Sequence, residues 1–186
     1  MLSEDDSPRL AVVGVGNEIM RDDGVGPRVI EALDADSFDD RDEVRLYDAG
    51  TTAFLALEAM SGCEEAIVVD AIDVGESPGS ITEYRFADGA FDRRPPEMTM
   101  HDVSFTEALH YASDTYDLPE RVRIIGVQPD VLEPGLELSD PVADAVSEVT
   151  ALITQHIRTD GTNGKAIESA RNHQVTADSS NPENTQ

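Results

Sequence analysis

Short apolar runs alternate with polar segments along most of the chain, and a longer amphipathic pattern follows them. The run from Leu10 to Val15 predicts a buried strand, and the apolar spacing after Gly26 predicts a helix over roughly residues 25–35. The same reasoning predicts further strands at residues 44–47, 66–69 and 122–127, and further helices after Thr51 or Thr52 and over roughly 103–113. Strands that are apolar on both faces suit a parallel sheet covered by helices on both sides.

One predicted strand differs from the others. From Ser80 to Phe86, polar and apolar positions alternate, which is typical of a strand with one face in water. The turn before it, Ser77–Gly79, is too short for the crossover helix that a parallel neighbour would need. We therefore expect this strand to run antiparallel to the rest of its sheet.

The last helix has the clearest pattern. Asp140 can cap it, Pro141 stands in its first turn, and its apolar face comprises Val142, Ala145, Val146, Val149, Leu152, Ile153 and Ile157. From Thr159 onward, the sequence is polar and predicts a disordered tail. The expected organisation is an acidic extension (1–8), one domain (9–158) and that tail (159–186).

Charge narrows the range of partners. The formal net charge is −26, and the cations are twelve Arg and a single Lys. Because such a surface repels nucleic acid and anionic membranes, we expect neither as a partner. Enrichment in acid with almost no lysine is typical of a halophilic protein, whose self-repulsion is screened by multimolar salt. Most carboxylates are therefore expected to serve solvation rather than chemistry.

Two further features bear on location and redox chemistry. No apolar stretch approaches the roughly 18 residues of a membrane span, and the first eight residues lack the layout of a secretory signal. A cytoplasmic monomer is the simplest expectation. Cys63 stands alone, which excludes an internal disulfide and a cysteine-based metal site.

The turn after the first predicted strand is the most informative segment. A strand, a glycine turn containing Gly14 and Gly16, and a helix together are typical of a ligand site at the carboxyl end of a strand. A dinucleotide-binding turn would need a third glycine where Ile19 stands, and Asp22 and Asp23 would repel a pyrophosphate. We therefore expect no nucleotide. An acidic glycine turn suits a metal cation or proton transfer.

Other candidate ligands follow neighbouring strands. In a doubly wound sheet, Asp23, Asp48 and Asp70 would converge at one edge, where His101 can join them from a loop. Two carboxylates and an imidazole suit a divalent metal. The alternative is structural: Asp48 as a turn former, Asp70 as a cap, and His101 as a capping or core histidine.

Six short motifs lie between residues 10 and 157: Gly14-x-Gly16-Asn17, Asp22-Asp23-Gly24-x-Gly26, Asp48-x-Gly50-Thr51, Asp70-Ala71-Ile72-Asp73, Met100-His101 and Gly126-Val127-Gln128-Pro129. In this order and at this spacing, they resemble the maturation endopeptidases of nickel–iron hydrogenases. The resemblance implies a three-layer α/β/α sandwich of the phosphorylase/hydrolase-like kind. Its five-stranded sheet would be mostly parallel, with one antiparallel strand.

The resemblance also implies an activity. Members of this family remove the carboxyl-terminal extension of a hydrogenase large-subunit precursor after nickel insertion. Their metal-contacting trio maps onto Asp23, Asp70 and His101, which with Asp48 are the candidate catalytic residues. The Ni²⁺ would be supplied by the substrate, with Cd²⁺ or Zn²⁺ as possible surrogates.

The mechanism and the function both keep alternatives at this point. A metal can polarise the scissile carbonyl or lower the pKa of an attacking water, whereas two close carboxylates can share a proton. The hydrolase would accordingly be metal-assisted or aspartic. The alternative functions are a non-catalytic nickel-binding or assembly protein, and a paralogous protease with a different protein substrate.

Overall fold

A computed structural model describes residues 8–35, 43–87, 90–92, 99–100, 103–104, 109 and 116–177, with the backbone alone for 99–100, 103–104 and 160–177. The strands are β1 (Leu10–Gly14), β2 (Val44–Asp48), β3 (Glu65–Ala71), β4 (Ile81–Ala87), β5 (Ala90–Phe91), β6 (Thr99–Met100), β7 (Val103–Ser104) and β8 (Arg121–Val127). The helices are α1 (Val25–Ala35), α2 (Ala53–Met60) and α3 (Asp140–Ala177). A 3₁₀ turn at Arg21–Gly24 leads into α1.

The main sheet has six strands in the order β2-β1-β3-β8-β4-β5. The first four are parallel, and β4 runs antiparallel to β8, which confirms the orientation predicted from the short turn before it. The sheet has one strand more than the five predicted, because the two-residue strand β5 pairs with the end of β4. A strand of two residues is too short to show an alternating pattern.

A small antiparallel sheet of β6 and β7 lies apart from the main sheet. It corrects the start of the helix predicted over roughly 103–113, since β7 occupies residues 103–104. Leu109 is helical and buried, whereas the other residues of that prediction lie outside the described ones. The helix pattern was therefore placed too early along the chain.

The sheet separates two apolar cores. Ala11 and Val13 of β1 point to one face, where α2 packs, and Leu10 and Val12 point to the other, where α1 and α3 pack. The same alternation continues along β3, as expected for successive residues of a strand. The result is three layers, with helices on both faces of the sheet.

Helix α3 extends beyond its predicted end. Among the residues whose side chains the structure describes, its last buried apolar one is Ile157, and its backbone is helical to Ala177, where we predicted a disordered tail. Propagating a helix from a packed segment costs far less than starting one, which accounts for helical backbone without an apolar pattern. Residues 178–186 lie outside the described ones. Despite the length of α3, no described helix is apolar enough to cross a membrane.

Deleting residues 160–186 is expected to leave the fold intact. The segment has only Ile167 and Val175 as large apolar residues, so it has little surface to bury against the domain. Thermal unfolding of the truncated chain should show a midpoint within about 3 °C of the full-length protein. A drop of ten degrees or so would show that the segment docks and that the predicted boundary is wrong.

Candidate active site at the carboxyl edge of the sheet

The carboxyl ends of the first three strands meet at one edge of the sheet. Gly14, the last residue of β1, is in register with Asp48 on β2 and with Val69 on β3. Asp70 is the next residue along β3. The sheet thus brings the candidate residues of β1, β2 and β3 to one edge, as the doubly wound topology predicts.

The glycine turn is built by close approach of backbone to backbone. Gly16 has a φ of +137°, and a Cβ added there would lie 1.7 Å from the Asp23 carbonyl oxygen. No side chain fits that space, and only glycine adopts that φ readily. The Gly16 N–H donates to the Gly50 carbonyl at 2.8 Å. The turn therefore folds tightly against both the 3₁₀ turn and the end of β2.

Asp23 is partly exposed at this turn. Its Oδ2 accepts the Asn17 N–H at 2.9 Å, which fixes the carboxylate over the glycine turn. One oxygen of the Asp23 carboxylate is thus held by a backbone N–H, while the side chain stays partly exposed.

Asp70 is buried, with 8% of its surface exposed. Burial raises the pKa of its carboxyl, the nearby negative charge of Asp23 adds to the rise, and the Ala71 N–H opposes both; together they place the pKa of Asp70 at about 8. The structure therefore brings Asp70 and Asp23 close enough for one charge to act on the other. At neutral pH, a carboxyl with a pKa of about 8 holds its proton, so Asp70 is mostly protonated.

The other two candidates stand differently. Asp48 is exposed, and its Oδ1 accepts the Gly50 N–H at 2.8 Å, the geometry of the turn former that was the structural alternative. His101 lies outside the described residues, as does His110. Within the described part of the chain, no three His, Cys, Asp or Glu side chains form a group able to hold a metal ion. The metal trio thus stays a prediction.

Asp22, the neighbour of Asp23, has a role that the sequence did not indicate. Its side chain is fully buried and accepts hydrogen bonds from the N–H groups of Asp130, Val131 and Ser139 at 2.9, 2.8 and 2.6 Å, and from the Ser139 hydroxyl at 2.8 Å. These partners lie 108 to 117 residues away, so no local pattern could reveal them. Burial raises the pKa of Asp22, but the four hydrogen bonds outweigh it and hold that pKa below its usual value.

The backbone reinforces this connection. Arg21 and Asp22 donate their N–H groups to the carbonyls of Gly135 and Val131, and Gly135 donates to Ile19. The loop after β8 is therefore joined to the acidic turn by several backbone hydrogen bonds. One consequence is that the surface beside Asp23 comes from two segments that are rigidly joined.

Gln128 orders the segment that follows Asp70. Its side chain is buried, and its Oε1 accepts the N–H groups of Val74 and Glu76 at 2.8 and 3.2 Å. Its Nε2 donates to Asp73 Oδ1 at 3.0 Å, which lowers the pKa of Asp73. Gln128 and Asp73 both belong to the sequence motifs, which were the available signal for this contact.

The arrangement supports two kinds of chemistry. A protonated carboxyl beside a charged one can donate and accept a proton in turn. Alternatively, a divalent cation placed between Asp23 and Asp70 would displace that proton and leave both oxygens as ligands.

We expect Asp22→Asn to lower the free energy of unfolding by about 2–4 kcal/mol. The amide nitrogen of Asn would face N–H donors, which leaves buried polar groups without partners. Since the folded pKa of Asp22 is lowered, its stabilisation is present above the unfolded value of 3.8 and is lost as the pH falls through the folded one. Urea unfolding should show this difference in unfolding free energy between wild type and variant at pH 7, and a smaller difference at about pH 3.

The matched control is Asp130→Asn, which makes the same change on an exposed side chain of the same loop. Its free energy of unfolding should stay within about 0.5 kcal/mol of wild type. Equal losses of unfolding free energy in the two variants would contradict the role of Asp22 in joining the acidic turn to the loop after β8.

Asp70→Asn is expected to stabilise the protein at alkaline pH. The folded pKa of Asp70 is raised, so its stabilising protonated form is fully present below 3.8 and is lost as the pH rises through about 8. At about pH 8.5, the variant should exceed wild type by about 2 kcal/mol or more, and the gap should shrink towards pH 5. The exposed change Asp48→Asn is the control. Parallel pH profiles for wild type and Asp70→Asn would contradict the raised pKa.

Comparison with known proteins agrees with this fold. The family model described as hydrogenase maturation protease matches residues 27–156. The hydrogenase expression/formation protein HupM of Azotobacter chroococcum is 31% identical over 147 residues, covering 78% of this chain and 70% of that protein. The Hydrogenase 2 maturation protease of Escherichia coli is 29% identical over 146 residues, covering 75% and 84%.

A solved structure agrees as well. The hydrogenase maturating endopeptidase HybD from E. coli superposes on this chain with a TM-score of 0.68 at 25% sequence identity, covering 82% of this chain and 94% of that one. The family model covers more than half of the chain, and the sequence relatives extend over three quarters of it. This chain therefore belongs to the hydrogenase maturation protease family.

Proposed function

We propose that this chain is an endopeptidase that removes the carboxyl-terminal extension of a nickel–iron hydrogenase large-subunit precursor after nickel insertion. The observation that carries the proposal is the buried Asp70 carboxyl, whose pKa is raised by burial and by Asp23 at the carboxyl edge of the sheet. A buried carboxyl with a strongly perturbed pKa and a second carboxyl nearby, at such an edge, are typical of a catalytic site. The E. coli relatives are named a maturation protease and a maturating endopeptidase, which supports the reaction class.

The nickel belongs to the substrate in this proposal. Asp23, Asp70 and His101 would contact it, and two carboxylates with one imidazole suit a borderline divalent metal. Cd²⁺ or Zn²⁺ would serve as surrogates. Asp48 is left out of this contact set, since its carboxylate is engaged in the turn before Gly50.

Two roles for the site remain distinct chemically. In one, the substrate's metal polarises the scissile carbonyl or lowers the pKa of the attacking water. In the other, Asp23 accepts a proton from the water that attacks the scissile carbonyl, and the Asp70 proton passes to the leaving amine as the C–N bond breaks. Both need Asp70 to change protonation state during the reaction, which its pKa near neutrality allows.

The test is incubation of the purified protein with a nickel-loaded large-subunit precursor, followed by mass spectrometry of the precursor. We expect its mass to fall by that of the extension, and we expect no cut in the nickel-free precursor. Nickel-dependent association with no change in mass would instead indicate a non-catalytic assembly protein. Cleavage of another protein but not of this precursor would indicate a paralogous protease.

His101→Ala is expected to abolish processing of the nickel-loaded precursor, since it removes one of about three ligands. The paired control is His110→Ala, which makes the same change nine residues further along the chain. That variant should process the precursor normally. Single-turnover assays with both variants measure the difference, and circular dichroism checks that each is folded. Equal activity in wild type and His101→Ala would falsify the metal-reading role.

Asp23→Asn tests the carboxylate side of the site. The change keeps the shape of the side chain and removes its charge, so it is expected to weaken Cd²⁺ binding by about tenfold or more. It should also lower the pKa of Asp70, because the neighbouring charge is one of the causes of the raised value. Calorimetric titration with Cd²⁺ measures the first effect and carboxyl NMR titration the second. Unchanged values for both would contradict the pairing of Asp23 with Asp70.

A further inference from the structure

Exposed apolar side chains are concentrated at one edge of the protein. Among the described residues, those that are large, apolar and exposed are Ile19, Tyr47, Phe54, Leu55, Leu132, Leu136 and Leu152. The first six lie on segments at the carboxyl ends of β1, β2 and β8, whereas Leu152 lies in the first half of α3. The edge that carries Asp23 and Asp70 is thus also the edge with the exposed apolar surface.

Three of these residues lie on the turn before Asp23 and on the loop that is hydrogen-bonded to that turn, and we call them the apolar platform: Ile19, Leu132 and Leu136. They are 63%, 53% and 64% exposed. The Gly135 N–H donates to the Ile19 carbonyl at 3.0 Å, which places Leu136 beside Ile19 along the backbone. Leu132 follows Val131, whose N–H and carbonyl are both bonded to Asp22. The platform is therefore one rigid surface.

The position of the platform argues for a partner rather than for chance. Single exposed apolar residues are ordinary, but several of them on two joined segments next to a candidate active site are typical of a protein-binding surface. The hydrogen bonds of the Asp22 side chain hold the two segments in place before any partner arrives. Such preorganisation reduces the ordering cost of binding.

Charge around the platform narrows the occupant. Exposed acidic side chains of Glu18, Asp130 and Glu137 stand beside it, while Glu133 is paired with Arg21 at 3.4 Å. A second copy of this chain, with its own net charge of −26, offers little complementary positive charge to this surface. An apolar segment with basic neighbours matches both the platform and its acidic rim.

We infer that the apolar platform binds an apolar segment with basic flanks in the same precursor that the site cleaves, close to the scissile bond. The inference rests on the proposed function and specifies how that substrate is held. The platform positions the substrate and takes no part in the bond-breaking step.

The test is the double variant Leu132→Asn with Leu136→Asn, compared with Leu152→Asn. All three side chains are exposed, so each variant is expected to fold with an unchanged thermal midpoint. For the nickel-loaded precursor, the double variant should raise KM and the dissociation constant by about tenfold or more, with kcat within about twofold. Leu152→Asn should match wild type, and the double change to Met should restore wild-type values.

The possible outcomes separate this inference from the proposed function. If wild type cuts the precursor and the double variant binds and cuts it equally well, the platform role is overturned and the proposed function stands. If wild type binds the precursor without cutting it, the proposed function fails, and the dissociation constants alone decide the platform. An equal loss of affinity in Leu152→Asn would overturn the platform, since the effect would not be local. No binding by wild type would overturn both.

Discussion

The structure of the candidate site depends on one buried carboxylate. Asp22 accepts four hydrogen bonds from the segment after β8, and no water replaces them because the side chain is fully buried. Hydrogen bonds to a charged, buried acceptor are among the stronger ones in proteins, and an unpaired carboxylate in this place would be costly. The connection joins two segments that lie more than 100 residues apart in sequence.

Two neighbouring acids of the same type consequently have opposite roles. Asp22 is held in its charged form by its donors, whereas Asp23 faces the edge of the sheet, where its charge raises the pKa of Asp70. Asp22 thus holds the turn in place, and this keeps Asp23 close to Asp70 although its charge is unfavourable there. When Asp70 ionises, the two carboxylates repel each other and would otherwise move apart, and the glycine turn and the Asn17 N–H limit this for Asp23.

Much of the fold was predictable because its signals are local. The apolar runs located β1, β3 and β8, and the short turn before residue 80 gave the orientation of β4. The convergence of Asp23 and Asp70 followed from parallel topology alone. The roles of Asp22 and Gln128 were not predictable in this way, since each bonds to segments distant in sequence. The strand β5 was too short, and the end of α3 lacks an apolar pattern.

The glycine turn has a consequence for how the protein responds to ionic strength. The turn is held by backbone hydrogen bonds, such as that from Gly16 to Gly50, and by a buried carboxylate, and dissolved salt screens neither strongly. The 39 acidic side chains, by contrast, create a long-range electrostatic field. At an ionic strength of 0.1 M, salt screens most of this field beyond about 10 Å. A change in ionic strength therefore alters how fast a charged partner arrives, while the shape that it meets stays the same.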